Sequence, residues 1–196
     1  MIERYKALIF WLAATALVAA ILLSDVDKRG ISESVAIGGE FSLINQDGVK
    51  TSNTDFAGRP ILLYFGFTYC PDVCPNDLMK MTKIMKALGS DADKIAPVFI
   101  TLDPERDTPQ HLKEFSANFD SRITYLTGNL DEIEAVTARY KVFHERTENA
   151  SEPEKYLINH SSFMYFVTPE GKYITHFADN NDVPFIAAAI SKHLNK

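Results

Sequence analysis

Cysteine is scarce in this chain. Only Cys70 and Cys74 occur in 196 residues, so at most one cross-link can form. A bridge between them would enclose three residues and constrain little of the unfolded chain. Basic residues are in deficit, with 20 Lys and Arg against 26 Asp and Glu. Affinity for nucleic acid comes largely from Lys and Arg on phosphates, so no nucleic-acid partner is expected. The sequence has no internal repeat and no low-complexity stretch. Uncharged runs long enough for a membrane are missing too, with one exception.

That exception is ALIFWLAATALVAAILL, residues 7–23. As a helix it would span roughly 25 Å, close to the thickness of a bilayer's hydrocarbon core. It has no polar face for water, which argues against a core helix. A cleaved signal peptide is an alternative that Arg4 and Lys6 would suit. The run ends in ILLSDVD, however, without the small-x-small pattern a signal peptidase prefers. The favoured reading is a single transmembrane helix, with residues 1–6 cytoplasmic and Asp25 and Asp27 across the membrane. Residues 24–39 then read as a polar linker, and residues 40–196 as a soluble domain. Residues 1–29 carry a net charge of +1 within a total of −6, leaving −7 on the remainder. The six residues ahead of the run leave no room for a transit peptide. The expected location is therefore a bacterial inner membrane, with the domain in the periplasm.

Beyond the linker, strand and helix patterns alternate. FSLIN and VKTS around Gln46–Gly48 read as a hairpin. ILLYFGF (61–67) and IAPVFITL (95–102) are continuous apolar runs, as buried strands show. Leu78, Met81, Ile84, Met85 and Leu88 recur at helical spacing. TPQHLKEFSANF opens with a Thr-Pro helix start. ITYLTG is a short strand and NLDEIEAVTARY a helix. Residues 144–158 read as polar and irregular. SFMYFVTPEGKYITHF predicts two strands around a Pro-Glu-Gly turn, and VPFIAAAISKHL a closing helix. Such alternation predicts an α/β domain. The cysteines fall where a buried strand meets a helix, a thioredoxin-like placement.

FGFTYCPDVCP (65–75) carries the chemistry. Pro75 suits the first turn of a helix, which places Cys74 near a helix start whose partial positive charge favours a thiolate. With three residues between them, the sulfurs share a face if the segment is helical, with Cβ atoms roughly 5–6 Å apart. That exceeds the usual Cβ separation of a disulfide, about 3.8 Å. A disulfide, a thiol redox pair and half of a metal site all remain open on spacing alone. A metal would need a further ligand. His193 is expected to be solvated, His111 exposed at a helix start, and His144 to lie in the irregular acidic loop. His176 ends a strand and could approach the site. His160 stands where that loop enters SFMYF, a position that also suits a hydrogen-bonded structural histidine.

GFTYCPDVCP, then TLDPERDTP (101–109), then INHSSFMYFVTPEGKY (158–173) together resemble the Sco/SenC family, over roughly residues 36–195. Members are membrane-anchored copper proteins of cytochrome c oxidase assembly. The resemblance implies a thioredoxin-like fold with an inserted hairpin, and copper ligands at Cys70, Cys74 and His160. It implies Cu(I) as cargo, with Cu(II) as a second state, an upstream copper donor, and cytochrome c oxidase subunit II as acceptor at its dinuclear copper centre. The rival role is a thiol–disulfide oxidoreductase that reduces the acceptor's cysteines through Cys70 and Cys74. The family commonly has Asp before the histidine, whereas this chain has Asn159, which bears on how the imidazole is tuned. Asp103, Glu105, Arg106 and Asp107 are read as helix-capping and mutually paired groups. Hard carboxylates suit Cu(I) poorly.

Overall fold

A computed structural model describes residues 11, 15, 36–147 and 155–195. The membrane run 7–23 therefore lies almost wholly outside the described residues. Among those described, no helix is long and apolar enough to cross a membrane.

A compact unit begins at Ile37, three residues earlier than the linker reading allowed. The reason is hydrogen bonding. Gly38 N–H donates to the Arg139 carbonyl and Gly39 N–H to that of Gly171, each at 2.9 Å. Gly171 has φ +79°, and a Cβ there would clash with the Gly39 carbonyl. Left-handed strain and overlap together predict that Gly171→Ala costs roughly 3 kcal/mol, read as a lowered denaturation midpoint.

Among the described residues, nine strands and four α-helices follow. Strands β1 (Ser42–Asn45) and β2 (Lys50–Ser52) form the expected hairpin. Asn45 closes it, its side-chain oxygen accepting from the backbone of Asp47 and Val49. Strands β3 (Ile61–Gly66) and β4 (Ala96–Thr101) pair in parallel, with every residue of both buried. Their unbroken apolar runs reflect cover on both faces. Strand β5 (Thr124–Thr127) adds in parallel to β4. Strands β8 (Met164–Val167) and β9 (Tyr173–Phe177) add antiparallel on the far side of β3. The sheet runs β2-β1-β5-β4-β3-β8-β9.

Helix α1 (Val73–Ala87) buries Leu78, Met81, Ile84 and Met85, the stripe its spacing predicts. Helix α2 (Pro109–Ser116) starts with Thr108 accepting from His111 N–H and with Pro109 in its first turn. Helix α3 (Leu130–Tyr140) begins in a capping box of Asn129 and Glu132. Helix α4 (Val183–Leu194) packs against α1.

Segment 144–158 differs from its irregular reading. Strands β6 (His144–Thr147) and β7 (Leu157–His160) pair antiparallel in a ribbon of their own, separate from the main sheet. It is inserted between α3 and β8. Its side chains are largely polar, so the burial signal that reveals a strand is weak.

Candidate metal and thiol site

The end of β3 and the start of α1 build the cysteine half. Cys70 precedes the helix and does not share a face of it with Cys74, as the spacing argument had supposed. Helix α1 begins at Val73, and its N-cap, Asp72, makes no side-chain capping bond. The Cys70 sulfur takes that role, accepting the Cys74 N–H at 3.4 Å. The helix start therefore acts on Cys70 more than on Cys74. A hydrogen bond from the Cys74 thiol, reinforced by backbone N–H groups of residues 72–74, brings Cys70 down to about 5 against some desolvation. The same bond and burial push Cys74 up. The pair thus holds one proton between two sulfurs, a thiolate at the half-buried Cys70 and a thiol at Cys74. No disulfide joins them.

Cys74 is fully buried. Gly66 makes room for it: a Cβ there would come within 3.0 Å of the Cys74 sulfur. Beneath lie Tyr64 and Asp77, both buried, and desolvation raises the pKa of each.

The ribbon brings His160 to this place. Its Nε2 lies 3.3 Å from the Cys74 sulfur, although 86 residues separate them. Its Nδ1 is 3.1 Å from the Ser161 carbonyl, a group that only accepts. Nδ1 therefore carries the hydrogen, and the neutral ring presents a bare Nε2 towards sulfur. Burial lowers the His160 pKa and favours that neutral form. Tyr64 and Phe67 meet the imidazole edge-on, at 6.3 and 6.1 Å. Asn159 is exposed on the opposite face of the strand. The Ser161 carbonyl, not residue 159, sets the ring's tautomer here.

Cys70, Val73, Leu157, Ile158 and His160 help line an open cleft of about 250 Å³. Two soft sulfurs and one imidazole suit a copper ion. Two donors on one metal at about 2.0–2.3 Å stand roughly 3.5 Å apart, close to the Cys74–His160 separation. Among the described residues, no three His, Cys, Asp or Glu side chains are grouped closely enough to hold a metal ion as they stand. Cys74 is the link among the three candidates, in contact with Cys70 on one side and with His160 on the other.

The other histidines lie elsewhere. His176 bonds the Tyr173 hydroxyl at 2.6 Å and packs on Phe163. His193 packs edge-on to Phe166 and is half-buried, where solvation was expected. His144 is opposite His160 in the ribbon register and pairs with Glu134 at 3.0 Å. His111 is also half-buried. Its Nε2 stands 2.8 Å from the Thr68 hydroxyl, and Tyr69 stacks on its ring.

Of the DPERDTP segment only Arg106 and Asp103 pair with each other as read; Glu105 pairs with Arg146, and Thr108, not one of the four charged residues, caps α2. Asp107 is completely buried and accepts from the Thr68 N–H and from the Thr68 and Thr101 hydroxyls. It thereby holds the loop that leads into Cys70. Nothing in the local pattern of either segment announces this contact across 39 residues.

Known proteins resemble this chain in both sequence and fold. The SCO1/SenC family model matches residues 29–195. A SCO2-like protein of Rickettsia felis is 45% identical over 145 residues, covering 74% of this chain and 71% of that protein. The copper-bound crystal structure of Arabidopsis thaliana ScoI superposes with a TM-score of 0.75 at 37% identity, covering 82% of this chain and 99% of the other. BsSco, described with a disulfide switch and as a member of the Sco family of cytochrome c oxidase assembly proteins, gives a TM-score of 0.63. It is 27% identical, with 80% of this chain and 92% of the other covered. The inserted ribbon, the thioredoxin-like core and the thiol–imidazole contact thus have their place: the chain belongs to the SCO1/SenC family.

Proposed function

We propose that this chain carries copper during cytochrome c oxidase assembly, held by Cys70, Cys74 and His160. The observation that carries this reading is the bare Nε2 of His160 facing the Cys74 sulfur at 3.3 Å. Copper-bound structures of similar Sco proteins support it. The cargo is Cu(I), with Cu(II) as a second state. An upstream donor supplies it, and the dinuclear copper centre of oxidase subunit II receives it. An open site lets an incoming ligand add before an old one leaves. The apolar run 7–23 serves as a single-pass anchor in a bacterial inner membrane, keeping the domain in the periplasm near its acceptor.

The test is an anaerobic Cu(I) titration of the reduced protein against a competing chelator. Wild type is expected to take one copper per chain, and His160→Ala to bind at least about a hundred-fold more weakly. Equal affinity in the two proteins would remove His160 from the ligand set.

The Cys70 thiolate favours a second reading, thiol–disulfide exchange with the acceptor. Cys70 would attack an acceptor disulfide, releasing one acceptor thiolate and forming a mixed disulfide. Cys74, on losing its proton, would then displace the second acceptor thiolate and close a Cys70–Cys74 bridge. That chemistry does not use His160, so His160→Ala separates the two roles.

A further inference from the structure

We propose that Arg106 is a positioning residue for copper, bracing the Cys70 loop against the ribbon that carries His160. The inference rests on the copper reading above. Arg106 lies in the connection between β4 and α2. Its guanidinium carbon sits 4.6 Å from the ring centre of Tyr69, the residue immediately before Cys70. The same carbon sits 3.5 Å from the ring centre of Tyr156, the residue immediately before β7. Its Nη1 donates to the Tyr156 carbonyl at 3.2 Å. One planar cation thus joins the two segments that supply the donors.

Further contacts hold it there. Arg106 Nε donates to Asp103, and Asp103 also accepts the Tyr156 hydroxyl at 2.6 Å. Arg146 of β6 covers the Tyr156 ring as well, at 3.5 Å, and pairs with Glu105. Two guanidinium groups at that distance from one ring centre require opposite faces, so Tyr156 is clamped. The Arg106 side chain is only 17% exposed, and desolvation strengthens a cation held over aromatic faces. Lysine, a compact ammonium on a flexible stem, cannot stack on two rings and donate to both Asp103 and the Tyr156 carbonyl. Asp107 orders the cysteine side alone. Arg106 spans the cysteine and histidine sides, so what it sets is their relation.

A double-mutant cycle on the full chain in mild detergent tests this, using anaerobic Cu(I) competition. Arg106→Met is expected to lower affinity by about ten-fold in the wild-type background. In the His160→Ala background it should change affinity by less than about two-fold, because no histidine is left to position. Arg106→Lys should resemble Arg106→Met. Tyr69→Leu, at an exposed position, should reproduce the background-dependent loss and serves if Arg106→Met does not fold. An equal loss in both backgrounds, or no loss in either, overturns the brace. Absence of competitive binding by wild type overturns the copper reading itself, and the brace with it.

Discussion

Replacing Cys74 with alanine is expected to weaken Cu(I) binding by about a thousand-fold, since a metal site's binding energy is shared among few ligands. The same replacement should change Cys70 without metal. The largest influence holding Cys70 at about 5 is the hydrogen bond from the Cys74 thiol. Without it, the backbone N–H groups at the helix start still favour the thiolate, but less. Near pH 6 the wild-type Cys70 is mostly thiolate, whereas the variant is mostly thiol. Alkylation of Cys70 should then slow by about ten-fold at that pH, and the difference should vanish above the ordinary thiol range. An unchanged alkylation profile would assign the Cys70 thiolate to the helix start alone.

Asp107→Ala should be the most damaging change outside the donors. It leaves the Thr68 N–H and the hydroxyls of Thr68 and Thr101 without their acceptor, in a place with no solvent access. At about 1–3 kcal/mol for each abandoned buried group, partly relieved by relaxation, the expected loss is about 4 kcal/mol. Asp107→Asn should cost much less, because the amide can still accept the Thr68 N–H and no longer carries a buried charge. The sign with pH follows from burial, which raises the Asp107 pKa above the unfolded value. Its contribution is full below the unfolded carboxylate range and declines as pH rises through the raised folded value. Asp107→Asn should flatten that part of the stability–pH curve, measured by denaturant unfolding across pH. Identical slopes in both proteins would place the titration elsewhere.

Much of the scaffold was legible because burial writes itself into sequence. Strands β3 and β4 show as unbroken apolar runs, and α1 shows through Leu78, Met81, Ile84 and Met85. Thr108–Pro109 marked the start of α2 by capping chemistry alone. The ribbon did not show. HERT and LINH have few buried side chains, and their pairing joins segments that look like loop. The candidate donors came only from the resemblance of three motifs, since thiol spacing left three chemistries open. The electrostatic division between Cys70 and Cys74 was not legible either. It depends on which sulfur meets the first amides of α1, and Pro75 marks only that a helix begins nearby. His111 and Asp107 were hidden because their partner, Thr68, is remote in sequence.

The separate pairing of β6 with β7 has a kinetic meaning. An isolated two-stranded hairpin is marginal in water, and among the described residues this one shares no backbone ladder with the main sheet. Its closure depends on side chains such as Tyr156 and Ile158 seated against the domain. For the proposed three-donor site, affinity would be that of the seated form scaled by the fraction of time the ribbon is seated. A carrier built this way can lower its grip without breaking a sulfur bond, because unseating the ribbon withdraws the imidazole first. On the proposed function, cargo lifetime would follow the hairpin's local opening equilibrium, which amide hydrogen exchange along residues 157–160 reports directly.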